Sequence, residues 1–358
     1  YQISVDDFTA INKRSQVYQW DVIISMIGEH CGYCYVERNE EIDYAIKNVG
    51  VFRAGNQLHA EWIYYYLNSS IGKAHLNKIR GGSSQPYLSL GGLRSLPILV
   101  PPSDESKEFI VNVLSTLDAK IDLNRRINAE LEAMAKLLYD YWFVQFDFPI
   151  SAAQATAMGR PDLEGKPYRA SGGKMINNEA LKREIPADWG SVKFSSFCEN
   201  FDSKRIPLSK AERAKRSGNI PYYGATEVMD YVDDYIFDGE YILIAEDGSV
   251  MDKGGFPTIQ FIFGKSWVNN HAHVLRAKDP KNNEFLLRSI TRIPVINIMS
   301  GSNQKKITQE NLNNLSLLKP DDENLEGYAK FAIPLRQERI TLETQTRELL
   351  ELRDWLLP

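Results

Sequence analysis

Between Ser103 and Phe146 the chain runs 44 residues without a proline or glycine and is dense in strong helix formers. Apolar residues recur there every seventh position, as Ile110, Leu117, Leu131 and Leu138, with Asn124 completing the row. A second row holds Leu114, Ile121, Ala135 and Trp142, with Asn128 in its gap. Alternating steps of three and four put one sticky seam on a helix, which must pack on another helix. Polar residues inside such a seam fix register and partner at a cost in stability, the role expected of Asn124 and Asn128. Ile110 to Trp142 would span roughly 50 Å, the length of a spacer. Leu335, Leu342, Leu349 and Leu356 form a second seven-residue ladder near the C-terminus, so the partner helix is expected within the same chain. Pro334 should kink that helix or start its second segment.

The two helical stretches belong to a longer repeat, offset by about 219 residues. GGSSQPYLSLGGLRSLPILVPP (81–102) aligns without a gap on SGSNQKKITQENLNNLSLLKPD (300–321). Gly82 falls on Gly301, Gln85 on Gln304, Leu93 on Leu312, Leu96 on Leu315 and Pro101 on Pro320. WDVIISMIG (20–28) resembles EYILIAEDG (240–248), and VFRA (51–54) resembles VLRA (274–277). A period near 220 is far longer than a solenoid repeat, so each unit is a domain plus a long helix. The expected order is a first mixed α/β domain at 1–102, a spacer helix at 103–146, a Gly- and Pro-rich connector at 147–185, a second mixed α/β domain at 186–320 and a second spacer helix at 321–358. Strands are expected in VYQWDVIISMIG, NVGVFRA and LRSLPILVPPS of the first domain, around the helical HAEWIYYYLNSSIGKAHLNKI. In the second domain they are expected in DYIFDGEYILIAEDG, PTIQFIFG and AHVLRA, before a short helix at NEFLLRSI. The first domain has no counterpart to residues 186 to about 219, which points to a missing N-terminal piece.

With 358 residues the chain can bury at least two cores. No apolar run is long enough for a membrane span, and three cysteines fit a reducing cytoplasm better than a disulfide scaffold. The net charge of −5 is unevenly divided. Residues 101–148 and 321–358 each hold nine acidic and five basic side chains, leaving +3 for the rest. Within the rest, Lys204, Arg205, Lys210, Arg213, Lys215 and Arg216 face the single Glu212. Acidic helices beside a locally basic domain suggest two faces for two partners.

No Gly-rich phosphate loop, dinucleotide fingerprint or nucleophile elbow is present, and no convincing catalytic set emerges. Asp162 and Glu164 lie too close together in the connector to grip one metal from two sides, and Glu246 and Asp247 read as the start of a turn at Gly248. Cys31 and Cys34 form a lone CxxC with no second pair, so no metal site is assigned. Two loops at equal offset carry ligand-like chemistry: Ser83, Ser84 and Gln85 in one, Ser302, Asn303, Gln304, Lys305 and Lys306 in the other. Small residues let the backbone approach a phosphate, lysines add charge, and Gln and Asn suit adenine edges.

These pieces together resemble the specificity subunit of type I restriction-modification systems. LSTLDAKIDLNRRINAELEAMAKLLYDYWFVQFD, the terminal LRDWLLP, GKPYRASGGKM leading into REIPADW, and IPYYGATEVMDYVDDYIFDGEYILIAEDG carry the resemblance over nearly the whole chain. It implies two target recognition domains separated by two long antiparallel coiled-coil helices. It also implies double-stranded DNA read as a split target, two modification subunits recruited by the helices, and restriction subunits beside them. S-adenosylmethionine, ATP and Mg would belong to those partners, leaving this chain without catalysis or cofactor. The loop residues above, with Lys204, Arg205, Tyr222 and Tyr223, become the expected DNA contacts. Leu117, Ile121, Leu131, Leu138, Trp142, Leu335, Leu342, Leu349 and Leu356 become the helix interface. The competing expectations are a single-chain nuclease or methyltransferase with an unrecognised site, and a coiled-coil adaptor that binds proteins alone.

Overall fold

The computed structural model describes residues 2–82, 84–301 and 305–357. It divides into two compact units, Tyr1–Ile127 with Leu342–Pro358, and Asn128–Thr341. Each unit contains one strand-rich domain and part of both long helices. The central helix runs over Asp104–Tyr139 and ends in a π-helical turn at Asp140–Val144. The C-terminal helix runs without a break over Asp322–Leu356. Pro334 lies inside that helix and starts no new segment; a single missing N–H is tolerated where the flanking residues pack.

In the first unit, strand Asp21–Ser25 pairs antiparallel with Cys34–Val36 on one side and with Val49–Arg53 on the other. The expected single helix after them is two, Gln57–Asn68 and Ser70–Ile79. Ser69 divides them: its N–H ends the first helix on the Tyr65 and Tyr66 carbonyls, and its hydroxyl accepts from Gly72 N–H to start the second. A side chain at Gly72 would sit 1.9 Å from the Tyr66 carbonyl oxygen, so the corner needs glycine. Leu90–Arg94 is a short helix, not a strand, and residues 97–100 form no strand. The equivalent Ser316–Lys319 in the second unit does form one, because it pairs with Gly190–Lys193. No described residue of the first unit supplies such a partner, and a strand needs one to satisfy its ladder.

The second unit repeats the three-strand arrangement and enlarges it. Strand Tyr241–Ala245 lies between Ile259–Ile262 and Ala272–Ala277, and Cys198–Asn200 adds a fourth strand. The registers match: Val22 opposes Phe52 in the first sheet as Ile242 opposes Leu275 in the second. A second four-stranded sheet, peculiar to this unit, contains Phe237–Asp238, Lys265–Val268, Ser217–Tyr223 and Val228–Val232. Residues 147–185 lie close against the body: Phe148 stacks between Tyr168 and Trp189 at 4.8 and 4.7 Å, and Ile150, Ala155 and Ile185 are buried in the same cluster.

The long helices pair antiparallel within each unit. In the first, Val111 and Leu114 share a cluster with Leu356 and Leu357, and Arg353 reaches Asp118 at 2.9 Å. In the second, Arg339 reaches Glu132 at 2.7 Å, and Trp142 meets Tyr328 edge to face at 5.9 Å. One apolar row forms the inner seam: Leu114, Ile121, Ala135 and Trp142 are buried, while Leu117, Leu131 and Leu138 flank it half-buried. On the other helix Leu342 is buried and Leu335, Leu349 and Leu356 are half-buried. Asn124 is buried completely and neither amide atom meets a protein partner, a cost of about 1–3 kcal/mol to the seam.

Each domain is fastened to the helices through a carboxylate of the central helix, and the second also through Arg292 to Asp140 and Glu240 to Arg336, each at 2.9 Å. Asp118 accepts from the Tyr65 hydroxyl at 2.9 Å as well as from Arg353. Glu132 accepts two hydrogen bonds from Arg288, whose guanidinium is 2% exposed and also meets Glu284 at 2.6 Å. Burial works against ionising Glu132, but Arg288 and Arg339 outweigh it and hold its pKa below the ordinary value. Replacing Glu132 by Ala strands part of a buried cation, so urea unfolding should show a loss of about 3 kcal/mol.

Candidate nucleic-acid interface

In the second unit Met299–Ser300 and Lys306–Ile307 form a small hairpin, closed by the pair Ser300 and Lys306. Gly301 follows the closing residue with φ +91°, and Lys305 and Lys306 are exposed. The buried Ile307 anchors the base: its N–H donates to the Glu246 carbonyl at 3.0 Å and its carbonyl accepts from His273 Nε2 at 2.8 Å. The first unit builds the same loop. Gly81 and Tyr87 close it by two backbone hydrogen bonds of 2.9 Å, Gly82 follows with φ +80°, and Leu88 N–H donates to the Met26 carbonyl at 2.8 Å. A Cβ on Gly82 would lie 2.3 Å from the Gln85 carbonyl oxygen, so this tip turns back on itself only with glycine there. Both loops run into a capped short helix, where Ser89 accepts from Gly92 N–H and Thr308 from Asn311 N–H. The sequence offset therefore corresponds to one piece of backbone architecture built twice. Ser84 and Gln85 are exposed; Ser83, Ser302, Asn303 and Gln304 lie outside the described residues.

A charged network lies behind the second hairpin. His273 is 2% exposed and places Nδ1 2.6 Å from Asp202 Oδ2. Asp202 also accepts from Val274 N–H at 2.9 Å and from Asn200 at 3.0 Å. Arg205 closes the network, donating to Glu246 at 2.8 Å and to the Ala272 carbonyl at 2.7 Å, with Asp202 at 3.6 Å. Burial alone would lower the His273 pKa, yet the Asp202 hydrogen bond and charge raise it. Burial would likewise raise Asp202, and His273 overcomes it to hold Asp202 below its ordinary value. Asp202, Glu246 and His273 bring potential metal-binding atoms within 4.8 Å of one another, but the Arg205 guanidinium already serves these carboxylates as the cation.

The structure places the other expected contacts as follows. Arg205 is drawn into this network through Nε and Nη1, which donate to the Asp202 and Ala272 carbonyls and to Glu246. Tyr222 is buried, and its hydroxyl accepts from Leu208 N–H at 2.9 Å, strapping the 205–209 segment down together with the Trp267 indole, which donates to the Ile206 carbonyl. Tyr223 is half-buried against the apolar cluster of Phe237, Leu243 and Val268. The basic run is largely neutralised: Arg213 pairs with Asp230 at 2.9 Å, and Arg216 with Asp233 at 2.9 Å and Asp234 at 3.5 Å. Lys204, Lys210 and Lys215 remain exposed. Burial pushes the thiol pKa of Cys34 up to about 11 and that of Cys198 up to about 12, so both are neutral thiols at pH 7.

Sequence reasoning passed over a groove beside the first hairpin. About 530 Å³ in volume, it is lined by Tyr33, Asn68, Lys73, Asn77 and Arg80 among others, with Arg80 directly preceding the loop. Lys73 and Arg80 are seven residues apart at one helix and its end, a spacing that could have flagged a shared face. His271 was also missed; it pairs with Asp247 at 2.8 Å where the hairpin base meets Glu246.

Each unit carries the same hairpin frame and is fastened to part of the same two long helices, so the chain is an internal duplication. The family model described as type I restriction modification DNA specificity domain matches residues 4–133 and 186–352, one match on each repeat, and the chain belongs to that family. It is 40% identical over 116 residues to the putative type I restriction enzyme specificity subunit S.HindORF215P of Haemophilus influenzae, covering 32% of this chain and 29% of that protein. It is 20% identical over 322 residues to the type I restriction enzyme MjaIX specificity subunit of Methanocaldococcus jannaschii, covering 84% of this chain and 67% of the relative. The crystal structure of the type I restriction-modification system S subunit from M. genitalium shares the fold, with a TM-score of 0.55 at 13% identity over 96% of this chain and 83% of that one. Among the described residues no helix is long and apolar enough to cross a membrane.

The buried network sets a pH window for stability. Asp202, with its pKa depressed, contributes fully above 3.8 and loses that contribution as pH falls through its lower folded value. His273, with its pKa raised, contributes fully below 6.5 and loses that contribution as pH rises through its higher folded value. Urea midpoints measured across pH should therefore decline on both sides, and the part of the alkaline decline due to this network should vanish in His273→Gln.

Proposed function

We propose that this chain is the DNA-reading subunit of a type I restriction-modification assembly. Each domain reads one half of a gapped duplex target, and the helix pair holds two modification subunits, with restriction subunits joining them. Adenine methylation with S-adenosylmethionine, and ATP- and Mg-dependent cleavage, are the work of those partners; this chain supplies the address. The observation that carries the reading is the hairpin built twice, with matching closing pair, glycine and cap, on two domains of one chain. Two like readers joined by stiff helices suit a target in two parts separated by unread base pairs. The exposed Lys305 and Lys306 would supply phosphate contacts, and Ser83, Ser84, Gln85, Ser302, Asn303 and Gln304 the tips.

Two measurements test this. With the full chain bound to its modification subunits, Lys305→Ala together with Lys306→Ala should weaken duplex binding and reduce the slope of log K against log salt by about 1.8. An unchanged slope would remove the second hairpin from the interface. Mapping methylated adenines genome-wide with and without the gene should show the loss of one gapped motif; a gap-free motif, or none, would defeat the two-headed reading.

A further inference from the structure

The two hairpins share their frame but not their fastening. In the sheet registers Ile24 opposes Gly50 in the first domain, and the equivalent Ile244 opposes His273 in the second. At Gly50 there is no room for a side chain, since a Cβ would lie 2.7 Å from Leu93 Cδ1. At His273 the side chain spans the gap from the Asp202 carboxylate to the carbonyl of Ile307, at the foot of the hairpin. Both ring nitrogens face acceptors. A neutral imidazole has one N–H and can satisfy one of them; the imidazolium has two and satisfies both. The other charged groups around the ring are Glu246, 3.8 Å from Nδ1, and Arg205, which holds Asp202 and Glu246 in place. From the hairpin side the charges are Lys305 and Lys306, both exposed.

We infer that His273 is the positioning residue of the second reading head, a doubly protonated clip that ties the hairpin at 299–307 to the 202–205 segment, so that DNA contact through this hairpin depends on its proton. This rests on the function proposed above. When the ring loses a proton, either the Asp202 side or the Ile307 side loses its donor. Ile307 then keeps one buried anchor, its N–H to Glu246, and the hairpin foot loosens. At the equivalent position the first head carries Gly50, with no side chain to form such a clip.

Hydrogen exchange on the full chain tests the clip without DNA. From pH 6 to 9, corrected for intrinsic exchange, protection at Ser300, Lys306 and Ile307 should fall with rising pH in the wild type. In His273→Gln it should be low throughout, while Tyr241–Ala245, Gly81 and Tyr87 stay protected. Asp202→Asn keeps an acceptor for Nδ1 but removes the charge, and should move the loss to lower pH. Equal protection of the hairpin in wild type and His273→Gln, or loss shared equally by Tyr241–Ala245, would overturn the inference. Binding of a fluorescein-labelled mixed-sequence 40-bp duplex to the assembly with modification subunits provides the second arm. His273→Gln should weaken it roughly tenfold at pH 6.5 and flatten its pH profile; an unaltered affinity and profile would overturn the link to DNA contact. Lys305→Ala with Lys306→Ala separates the two readings: if that pair leaves binding unchanged, the hairpin is not the DNA contact, whatever exchange says about the clip.

Discussion

A carboxylate taken out of water is tolerated only where donors meet it, and each unit of this protein uses that constraint to seat its domain on the helices. Asp118 gathers a tyrosine of the first domain and an arginine of the C-terminal helix; Glu132 gathers Arg288 of the second domain and Arg339 of that same helix. Apolar seams alone hold helices together without fixing a domain's angle on them, since dispersion and hydrophobic contact are weakly directional. A fork of guanidinium donors on one carboxylate is directional. The donors differ between the units, and because the repeat maps the central helix onto the C-terminal one, Asp118 and Glu132, both on the central helix, are not copies of one another.

The hairpins follow a related division of labour. Their frames are fixed by backbone hydrogen bonds, a left-handed glycine and a buried apolar foot, while Ser84, Gln85 and Lys305 are exposed. The enlarged second domain spends its arginines internally. Arg205, Arg213 and Arg216 each meet carboxylates, and Arg213 and Arg216 lie over the rings of Tyr222 and Trp267 at 5.0 and 4.7 Å. The segment that looks like a basic surface in the sequence is a braced wall in the fold.

What could be read from the sequence was whatever repeats. The leucine ladders, the 219-residue offset and the strands at Tyr241–Ala245 and Ala272–Ala277 follow from spacing, because the helix and strand periods are written directly into apolar positions. What could not be read was pairing. Arg205 carries the same charge whether it faces water or Glu246, and Tyr222 is as aromatic in a wall as on a surface. The break at Ser69 and the unpaired stretch at 97–100 depend on a helix corner and a strand partner that no local pattern encodes. Pro334 starts no new segment, because the helix continues through it from Asp322 to Leu356. The equivalence of Gly50 and His273 was legible, since VFRA at 51–54 on VLRA at 274–277 places one on the other and the strand register agrees; what could not be read was the reach of the His273 ring to Asp202 and Ile307.

The equal spacing of the two closing pairs, Gly81 with Tyr87 and Ser300 with Lys306, has an evolutionary meaning. Any exchange of genetic material between the halves that begins and ends at these pairs keeps every downstream residue in phase with the sheet and the following cap. On the function proposed above, each half would then be a store of loops for the other, exchangeable without repair of the core.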